Sequence, residues 1–336
     1  MKKTRFSVIM PLYNKAPFVR KALQSIASQT YRDFELIIID DGSTDNSAAI
    51  CEVFFQTFNH SLAHSINVNR SFVHSFIRQT NSGVAAARNR GVAESHGEFL
   101  CFLDADDWWE PTFLEEMSKL INEYTEAGIY ATNYIYHKPG KTHVALSLPR
   151  GYIDYPKAYY EGSSMPVWTG ATCMPRKVFD EMGGFPFGIK LGEDFLLWAK
   201  TAIHYPIALC EKPLSYYNND VPASLRATRN LHAPEHHMLF NLEPLLDEIN
   251  RLQSTSNKSA WLQLIDKLRV DGLLEYWMSD VYHDAAAAEL KKVDWSKQPK
   301  SVKALYKKPI WLLRTKGCIM RAGSFCKQKL VKLSKA

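Results

Sequence analysis

The first third of the chain alternates between two periodicities, and this alternation restricts the possible folds more than any other feature. Four short segments have the pattern of strands, at residues 6–10, 35–40, 75–79 and 98–103, and those at 6–10 and 35–40 have the apolar pattern of buried strands. Between them, apolar residues recur at helical spacing over residues 16–29, 45–58 and 83–94. This order predicts an α/β fold, with a single, mostly parallel sheet and helices on both of its faces.

Polar and acidic residues follow three of the predicted strands. These strand ends carry Pro11-Leu-Tyr-Asn14, Asp40-Asp41 and Asp104-Ala-Asp-Asp107. In open parallel sheets the ligand binds beyond the carboxyl ends of the strands, so we expect the functional site there. Pro111 is typical of the first turn of a further helix.

The rest of the chain divides into a mixed part and a helical part. Residues 129–136 and 206–217 have the pattern of aromatic strands, and residues 193–202 that of a helix. From residue 232 onward the spacing is helical, over residues 238–252 and 260–274. We therefore expect one domain over residues 1–230 and a mainly helical C-terminal extension over residues 231–336.

Residues 56–74 form a polar stretch that reads as an insertion before the third strand. The stretch contains His60, His64 and His74. A metal site is one interpretation, but the histidine spacing matches no strong ligand pattern, so a solvated loop is the expectation.

The composition excludes several classes of protein. Hydrophobic residues make up 46% and charged residues 23% of the 336 residues, which is ordinary for a globular protein and unlike a disordered one. No apolar run reaches the roughly 18 residues that a membrane-spanning helix needs, and the N-terminus does not have the pattern of a signal peptide. The six cysteines include no CxxC pair, which favours reduced thiols and a cytoplasmic location.

The net charge is unevenly distributed. Of the formal charge of +6, residues 291–336 carry +13, from twelve Lys and two Arg against Asp294, which leaves −7 for residues 1–290. In this basic tail the cations alternate with apolar residues such as Trp311 and Phe325. Such a stretch favours an anionic membrane surface as its partner, and the alternative is that its apolar residues pack on the body.

The cluster Asp104-Ala-Asp-Asp107 has the most chemical content. Three carboxylates in four residues repel one another unless a cation neutralises them, and oxygen ligands suit Mg²⁺ or Mn²⁺. The alternative interpretation is a helix cap, with Asp106 or Asp107 capping the helix near Pro111.

Three further clusters are ambiguous when each is taken alone. The segment 40–45 forms a turn in which Asp45 or Asn46 caps the next helix, or it carries Asp41 as an acceptor of hydrogen bonds from a bound base, and the two roles can coexist. Arg88 either reaches a phosphate or makes an ordinary ion pair at the start of its helix. Glu193 and Asp194 are either acids placed in the first turn of a helix, where the helix dipole stabilises them, or one of them is a general base. The base would lie in a partly apolar pocket near Trp198.

The order of these clusters resembles the family 2 glycosyltransferases. The matching segments are Val8-Ile-Met-Pro-Leu-Tyr-Asn14, Ile39-Asp-Asp-Gly-Ser-Thr-Asp45, Asn81-Ser-Gly-Val-Ala-Ala-Ala-Arg-Asn89, Phe102-Leu-Asp-Ala-Asp-Asp107, Trp168-Thr-Gly-Ala171, Met182-Gly-Gly-Phe185, and Glu193-Asp194 followed by Trp198. The resemblance extends from about residue 5 to residue 220 and implies the Rossmann-like, A-type fold of these enzymes.

The resemblance also implies a role for individual residues. Pro11, Tyr13, Asp41, Arg88 and Asp104 would bind the nucleotide sugar. Asp106 would hold the metal, Mn²⁺ or Mg²⁺. Trp168 and Gly170 would line the acceptor side. Asp194 would be the general base, with Glu193 as the second candidate.

These roles imply an inverting glycosyltransferase of the hexosyl or N-acetylhexosaminyl type. The donor would be a nucleoside diphosphate sugar, with UDP as the expected nucleotide, and the acceptor a glycan or lipid-linked hydroxyl in cell-surface polysaccharide synthesis. A catalytically inactive scaffold with the same fold is the alternative function, and a sugar-phosphate nucleotidyltransferase fits the strand ends less well.

The C-terminal extension contains no catalytic motif. Its helices are expected to pack on the catalytic domain, to form a homodimer contact, or to present an acceptor surface. The basic tail would place the protein peripherally on the inner face of the cytoplasmic membrane. Nucleic acid is not an expected partner, because no recognition motif accompanies the tail.

Overall fold

The computed structural model describes residues 5–63, 74–162, 164–225 and 231–314. The chain divides into two compact units. The first unit comprises residues 1–155 and 164–229, and the second comprises residues 156–163 and 230–336.

One ten-stranded sheet forms the centre of the first unit. Its strands are β1 (Phe6–Leu12), β2 (Phe34–Asp40), β3 (His74–Arg78), β4 (Phe99–Phe102), β5 (Trp108–Trp109), β6 (Ile129–His137), β7 (His143–Val144), β8 (Gly151–Ile153), β9 (Thr172–Pro175) and β10 (Ile207–Asn218). The main strand order is β3-β2-β1-β4-β9-β6-β10-β5, with β7 beside β6 and β8 beside β10.

The longest strand pairings are parallel, as the alternating pattern predicts. Strand β1 lies between β2 and β4, parallel to both, and β2 is parallel to β3. Strands β6 and β10 are also parallel, with an irregular register near Pro213. The short strand β9 runs antiparallel between β4 and β6 and joins the two parallel parts.

Helices cover both faces of this sheet. The first unit contains α1 (Val19–Ala27), α2 (Ser47–Ala63), α3 (Val84–Ala93), α4 (Phe113–Glu123), α6 (Arg176–Met182) and α7 (Glu193–His204). Apart from Tyr155, α5 (Tyr155–Glu161) belongs to the second unit. Val8 and Met10 of β1 belong to the apolar cluster formed with α1, α2 and α4. On the opposite face, α3 approaches β1 so closely that a Cβ on Gly91 would lie 2.5 Å from Ile9 Cγ2. The predicted fold class is confirmed.

Two local predictions differ from the structure. The helix after Pro111 begins at Phe113, two residues later than the proline pattern indicates.

Helix α2 continues to Ala63, so residues 56–63 are helical and not a loop. Within this helix, the Thr57 hydroxyl donates to the Val53 carbonyl. His74 lies in β3 and its ring stacks on Phe55 at 3.8 Å. Residues 64–73, with His64, lie outside the described residues.

The second unit is helical where it is described. Its helices are α8 (Glu243–Arg251), α9 (Thr255–Gly272), α10 (Leu274–Trp277), α11 (His283–Leu290) and α12 (Lys300–Tyr306). Trp261 is completely buried in this unit. Most of the basic tail, from residue 315 onward, lies outside the described residues.

Two further expectations can be compared with the structure. Cys51, Cys101, Cys173 and Cys210 are buried free thiols, which fits the reduced state expected for them. Within the described ranges, no helix has both the length and the apolar character needed to cross a bilayer.

Candidate active site

The loop after β1 is bound to the loop after β2. Pro11 is buried within β1, whereas the side chain of Tyr13 is 46% exposed. Asn14 adopts a left-handed backbone conformation, with φ of 51°. Its backbone N–H donates to Ser43 Oγ at 3.1 Å, and its side-chain oxygen accepts from the Thr44 N–H at 2.8 Å. Tyr13 is thereby held just beyond the carboxyl end of β1.

Asp41 organises the start of α3. One carboxylate oxygen accepts from the Ser82 N–H at 2.8 Å and from Gln79 Nε2 at 2.8 Å, and the other accepts from the Gly83 N–H at 2.9 Å. Asp41 is almost completely buried. The carboxylate therefore satisfies the N–H groups of Ser82 and of the N-cap residue Gly83, immediately before the first helical residue of α3.

The three aspartates after β4 have different surroundings. Asp106 Oδ2 lies 2.5 Å from Lys15 Nζ. The buried Asp107 accepts from the Asn218 N–H at 2.7 Å. Helix α4 has Thr112 at its N-cap and no side-chain cap, so the alternative interpretation of Asp106 or Asp107 as a helix cap is wrong.

Burial dominates the electrostatics of this acidic cluster. It raises the pKa of Asp106, although the Lys15 charge opposes that shift. Burial, followed by the charges of Asp106 and Asp104, raises the pKa of Asp107 well above its usual range. The cluster therefore favours a neutralising cation.

The donor set suits a divalent cation that is shared with a substrate. Within the part of the chain that the structure describes, no group of three or more potential ligands is assembled. Mg²⁺ sites commonly use only one or two carboxylates plus substrate phosphates, so the pair Asp104 and Asp106 fits such a cation.

Arg88 connects the acidic cluster to the start of α7. Its guanidinium donates to Asp104 Oδ1 and to Glu193 Oε1, each at 2.8 Å, and the residue is 3% exposed. Burial alone would lower the pKa of Arg88, but the charges of Asp104 and Glu193 outweigh it and raise the pKa. Arg88 and Glu193, which are 105 positions apart in the chain, are thereby brought into one site.

Glu193 and Asp194 form the first turn of α7 and differ in their partners. Burial, followed by the charge of Asp194, raises the pKa of Glu193 to about 7 against the effect of Arg88. Asp194 Oδ2 accepts from the Thr169 hydroxyl at 2.9 Å, and its Oδ1 accepts from the Phe195 N–H at 2.7 Å. Trp198 is completely buried on the same helix.

Trp168 and Gly170 lie on either side of Thr169, at the start of a short 3₁₀ turn that precedes β9. The turn spans Thr169–Ala171. The Trp168 indole is 8% exposed and packs 5.1 Å from the Tyr134 ring and 5.3 Å from the Tyr217 ring. The acceptor-side roles implied for Trp168 and Gly170 remain predictions.

The structure adds two residues that the sequence did not single out. The Lys15 ammonium donates a hydrogen bond to Asp106, and the Thr169 hydroxyl donates one to Asp194. Lys15 follows the Pro11-Leu-Tyr-Asn14 segment directly, and Thr169 lies inside the Trp168-Thr-Gly-Ala171 segment. The sequence therefore shows Lys15 next to a strand end and Thr169 within a matching segment, but only the fold shows that their partners are Asp106 and Asp194.

The chain has an open α/β sheet with acidic residues at the carboxyl ends of its strands, which is where α/β proteins of this class bind their ligands. The family model of glycosyl transferase family 2 matches residues 7–183, which is more than half of the 336 residues. The chain belongs to this family.

Comparison with curated proteins gives partial matches. The chain is 38% identical over 130 residues to the glycosyltransferase GlyA of Streptococcus pneumoniae, an alignment that covers 39% of this chain and 17% of GlyA. It is 30% identical over 175 residues to the uncharacterised glycosyltransferase YibD of Escherichia coli, covering 51% of this chain and 47% of YibD. The chain thus spans less than half the length of these relatives.

Solved structures share the fold over most of the chain. The structure of S. aureus TarS 1–349 in complex with UDP-GlcNAc has a TM-score of 0.69 at 19% identity, covering 90% of this chain and 83% of that chain. The mannosyltransferase PcManGT of Pyrobaculum calidifontis, in complex with GDP-Man and Mn²⁺, has a TM-score of 0.54 at 18% identity, covering 100% of this chain and 84% of that chain. At these identities the likeness establishes the fold.

Proposed function

We propose that the protein is an inverting glycosyltransferase that moves a sugar from a nucleoside diphosphate sugar, a UDP-sugar in our proposal, to a hydroxyl of a glycan or lipid-linked acceptor. The observation that carries the proposal is the double pairing of Arg88. One guanidinium joins Asp104, at the strand end assigned to the donor, to Glu193, beside the assigned base Asp194. Donor chemistry and proton removal therefore belong to one site.

The donor would lie along the strand ends. Pro11 and the exposed Tyr13 would contact the base, and Asp41 would accept a hydrogen bond from it. Asp104 would lie near the ribose, and Arg88 near the base or diphosphate. Family membership and the UDP-GlcNAc complex of TarS support this assignment.

In the proposed reaction, Asp194 accepts the proton of the acceptor hydroxyl as that oxygen attacks the anomeric carbon. The bond from this carbon to the diphosphate oxygen breaks, and the diphosphate leaves with the bonding electron pair. A single displacement inverts the carbon and needs no covalent sugar-enzyme intermediate. Trp168 and Gly170 would lie on the acceptor side.

Asp106, with Asp104 beside it, would hold Mn²⁺ or Mg²⁺. When bound, the cation would neutralise charge on the departing diphosphate. The buried carboxylates and the Mn²⁺ complex of PcManGT support this proposal.

A donor screen with one active-site variant tests the function. We expect a nucleoside diphosphate sugar to raise the melting temperature in the presence of Mn²⁺ and to be hydrolysed slowly. Asp194→Asn should abolish transfer and hydrolysis while leaving donor binding within about twofold, because it removes the base and keeps the shape. Near-normal turnover of this variant would contradict the assignment of the base. Donor binding without turnover in the unaltered protein would favour the scaffold alternative.

The basic tail has a separate proposed role. We propose that it holds the protein on an anionic membrane surface, where lipid-linked acceptors and cell-surface polysaccharide synthesis would be located. The charge of +13 on residues 291–336 supports this. Sedimentation with anionic vesicles should retain the full chain and not a chain that lacks residues 295–336. Equal retention of both chains would contradict the role of the tail.

A further inference from the structure

The 3₁₀ turn Thr169–Ala171 is fixed by two strands of the sheet. The Gly170 carbonyl accepts from Trp109 Nε1 and from Ser215 Oγ, each at 2.6 Å. Trp109 belongs to β5 and Ser215 to β10. Since both donors are buried, the backbone of the turn is tied down without solvent competing for the hydrogen bonds.

Contacts of the Trp168 carbonyl and of the Trp168 indole also restrain this turn. The Trp168 carbonyl accepts from Thr172 Oγ1 at 2.6 Å and from the Ala171 N–H at 2.9 Å. A Cβ on Gly170 would lie 2.5 Å from the Trp168 indole, so a side chain at this position would force the ring to move. The conformation around Thr169 is therefore closely determined by its neighbours.

Thr169 connects this rigid turn to Asp194. Its side chain is inside the protein, at 1% exposure, and its hydroxyl donates to Asp194 Oδ2 at 2.9 Å. The Phe195 N–H donates to Asp194 Oδ1 at 2.7 Å. Each oxygen of the partly exposed Asp194 carboxylate thus has one fixed donor, and the two donors together determine the direction of its remaining lone pairs.

We propose that Thr169 is a positioning residue that fixes the Asp194 carboxylate in the orientation needed to receive the acceptor proton. This inference rests on the proposed function, in which Asp194 is the base. A general base must lie within hydrogen-bond reach of the proton that it removes, and small displacements of reacting groups cost large factors in rate. Thr169 contributes geometry and does not itself touch the substrate.

Thr169→Val tests the proposal, because valine keeps the shape and removes only the hydroxyl. We expect kcat to fall about tenfold or more, while the KM and Kd for the donor stay within about twofold. Thr169→Ser, which restores a hydroxyl, should recover most of kcat. The matched control is Thr201→Val, since Thr201 is also fully buried but lies further along α7 and donates to the Leu197 carbonyl at 2.8 Å.

The outcomes separate this inference from the proposed function. An unchanged kcat in Thr169→Val, with Asp194→Asn inactive, would overturn the positioning role and leave the base in place. Equal losses in Thr169→Val and Thr201→Val, or no recovery in Thr169→Ser, would also overturn it, because the loss would then come from packing. Full activity of Asp194→Asn would instead refute the proposed base, and this inference with it.

Discussion

Lys15 Nζ lies 2.5 Å from Asp106 Oδ2 and also donates to the Leu225 carbonyl at 3.0 Å. The two side chains of this ion pair are largely buried, at 18% and 16% exposure. The carboxylate proposed to hold a divalent cation therefore already has a protein cation as its partner. A metal that binds Asp106 must displace this ammonium or share the carboxylate with it.

We therefore expect Lys15→Met to bind Mn²⁺ more tightly than the unaltered protein. A charged hydrogen bond of about 1.5–3 kcal/mol predicts a gain of roughly tenfold or more in affinity. Electron paramagnetic resonance of free Mn²⁺, without nucleotide, measures this directly. Lys21→Met is the matched control, because Lys21 Nζ lies over the Trp108 ring at 3.0 Å from its centroid. Weaker Mn²⁺ binding in Lys15→Met would contradict the competition.

Arg88 should be far more important for stability than its neighbour on the same helix. Arg88→Met leaves Asp104 and Glu193 without their shared cation, and breaking a buried pair costs about 3–5 kcal/mol. Arg90→Met removes a surface ion pair with Glu94 at 3.7 Å and should cost under about 1 kcal/mol. Urea unfolding at pH 8 compares the two variants. Similar free energies of unfolding would show that the buried pairing of Arg88 contributes little.

The raised pKa of Glu193 predicts how stability depends on pH. Because this pKa is about 7 in the folded protein and ordinarily 4.5, the folded state holds the proton more tightly. The contribution of Glu193 to stability is therefore complete below pH 4.5 and is lost as the pH rises through 7.

Glu193→Gln removes this dependence, so the unaltered protein should lose about 1–3 kcal/mol relative to the variant between pH 5 and pH 8. Urea unfolding of both proteins across this range measures the difference. A difference that is constant with pH, or that grows in favour of the unaltered protein, would contradict the raised pKa.

The central parallel strands β1, β2 and β4 could be predicted from the sequence because they are buried on both faces. All seven residues of β1 and of β2 are buried, which produces continuous apolar runs with sharp ends. The four-residue strand β9 has no such signal, and its antiparallel place between β4 and β6 depends on partners distant in the chain. Short strands with long-range partners were therefore missed.

The strand-end aspartates were predictable for the same topological reason, but their partners were not. The sequence places Asp41 and Asp104 at one edge of the sheet, since parallel strands end together. It gives no sign that Arg88 reaches Glu193 or that Lys15 reaches Asp106, because these pairings depend on side-chain directions across loops. The cap interpretation of Asp106 and Asp107 is wrong because α4 begins later, after Thr112.

Gly42 offers a last test, since it follows Asp41 in the loop after β2 and lies against Asn81, just before α3. Its φ is +79°, and an added Cβ would lie 3.1 Å from the Asn81 nitrogen. Gly42→Ala should therefore combine backbone strain of about 1–2 kcal/mol with displacement of the segment that Asp41 binds. Gly140→Ala is a matched control, because its φ is +74° and no atom lies within 4 Å of the added Cβ. We expect Gly42→Ala to lose more free energy of unfolding than Gly140→Ala, and only Gly42→Ala to weaken donor binding in calorimetry. Equal losses in both variants would show that crowding at Asn81 has no effect.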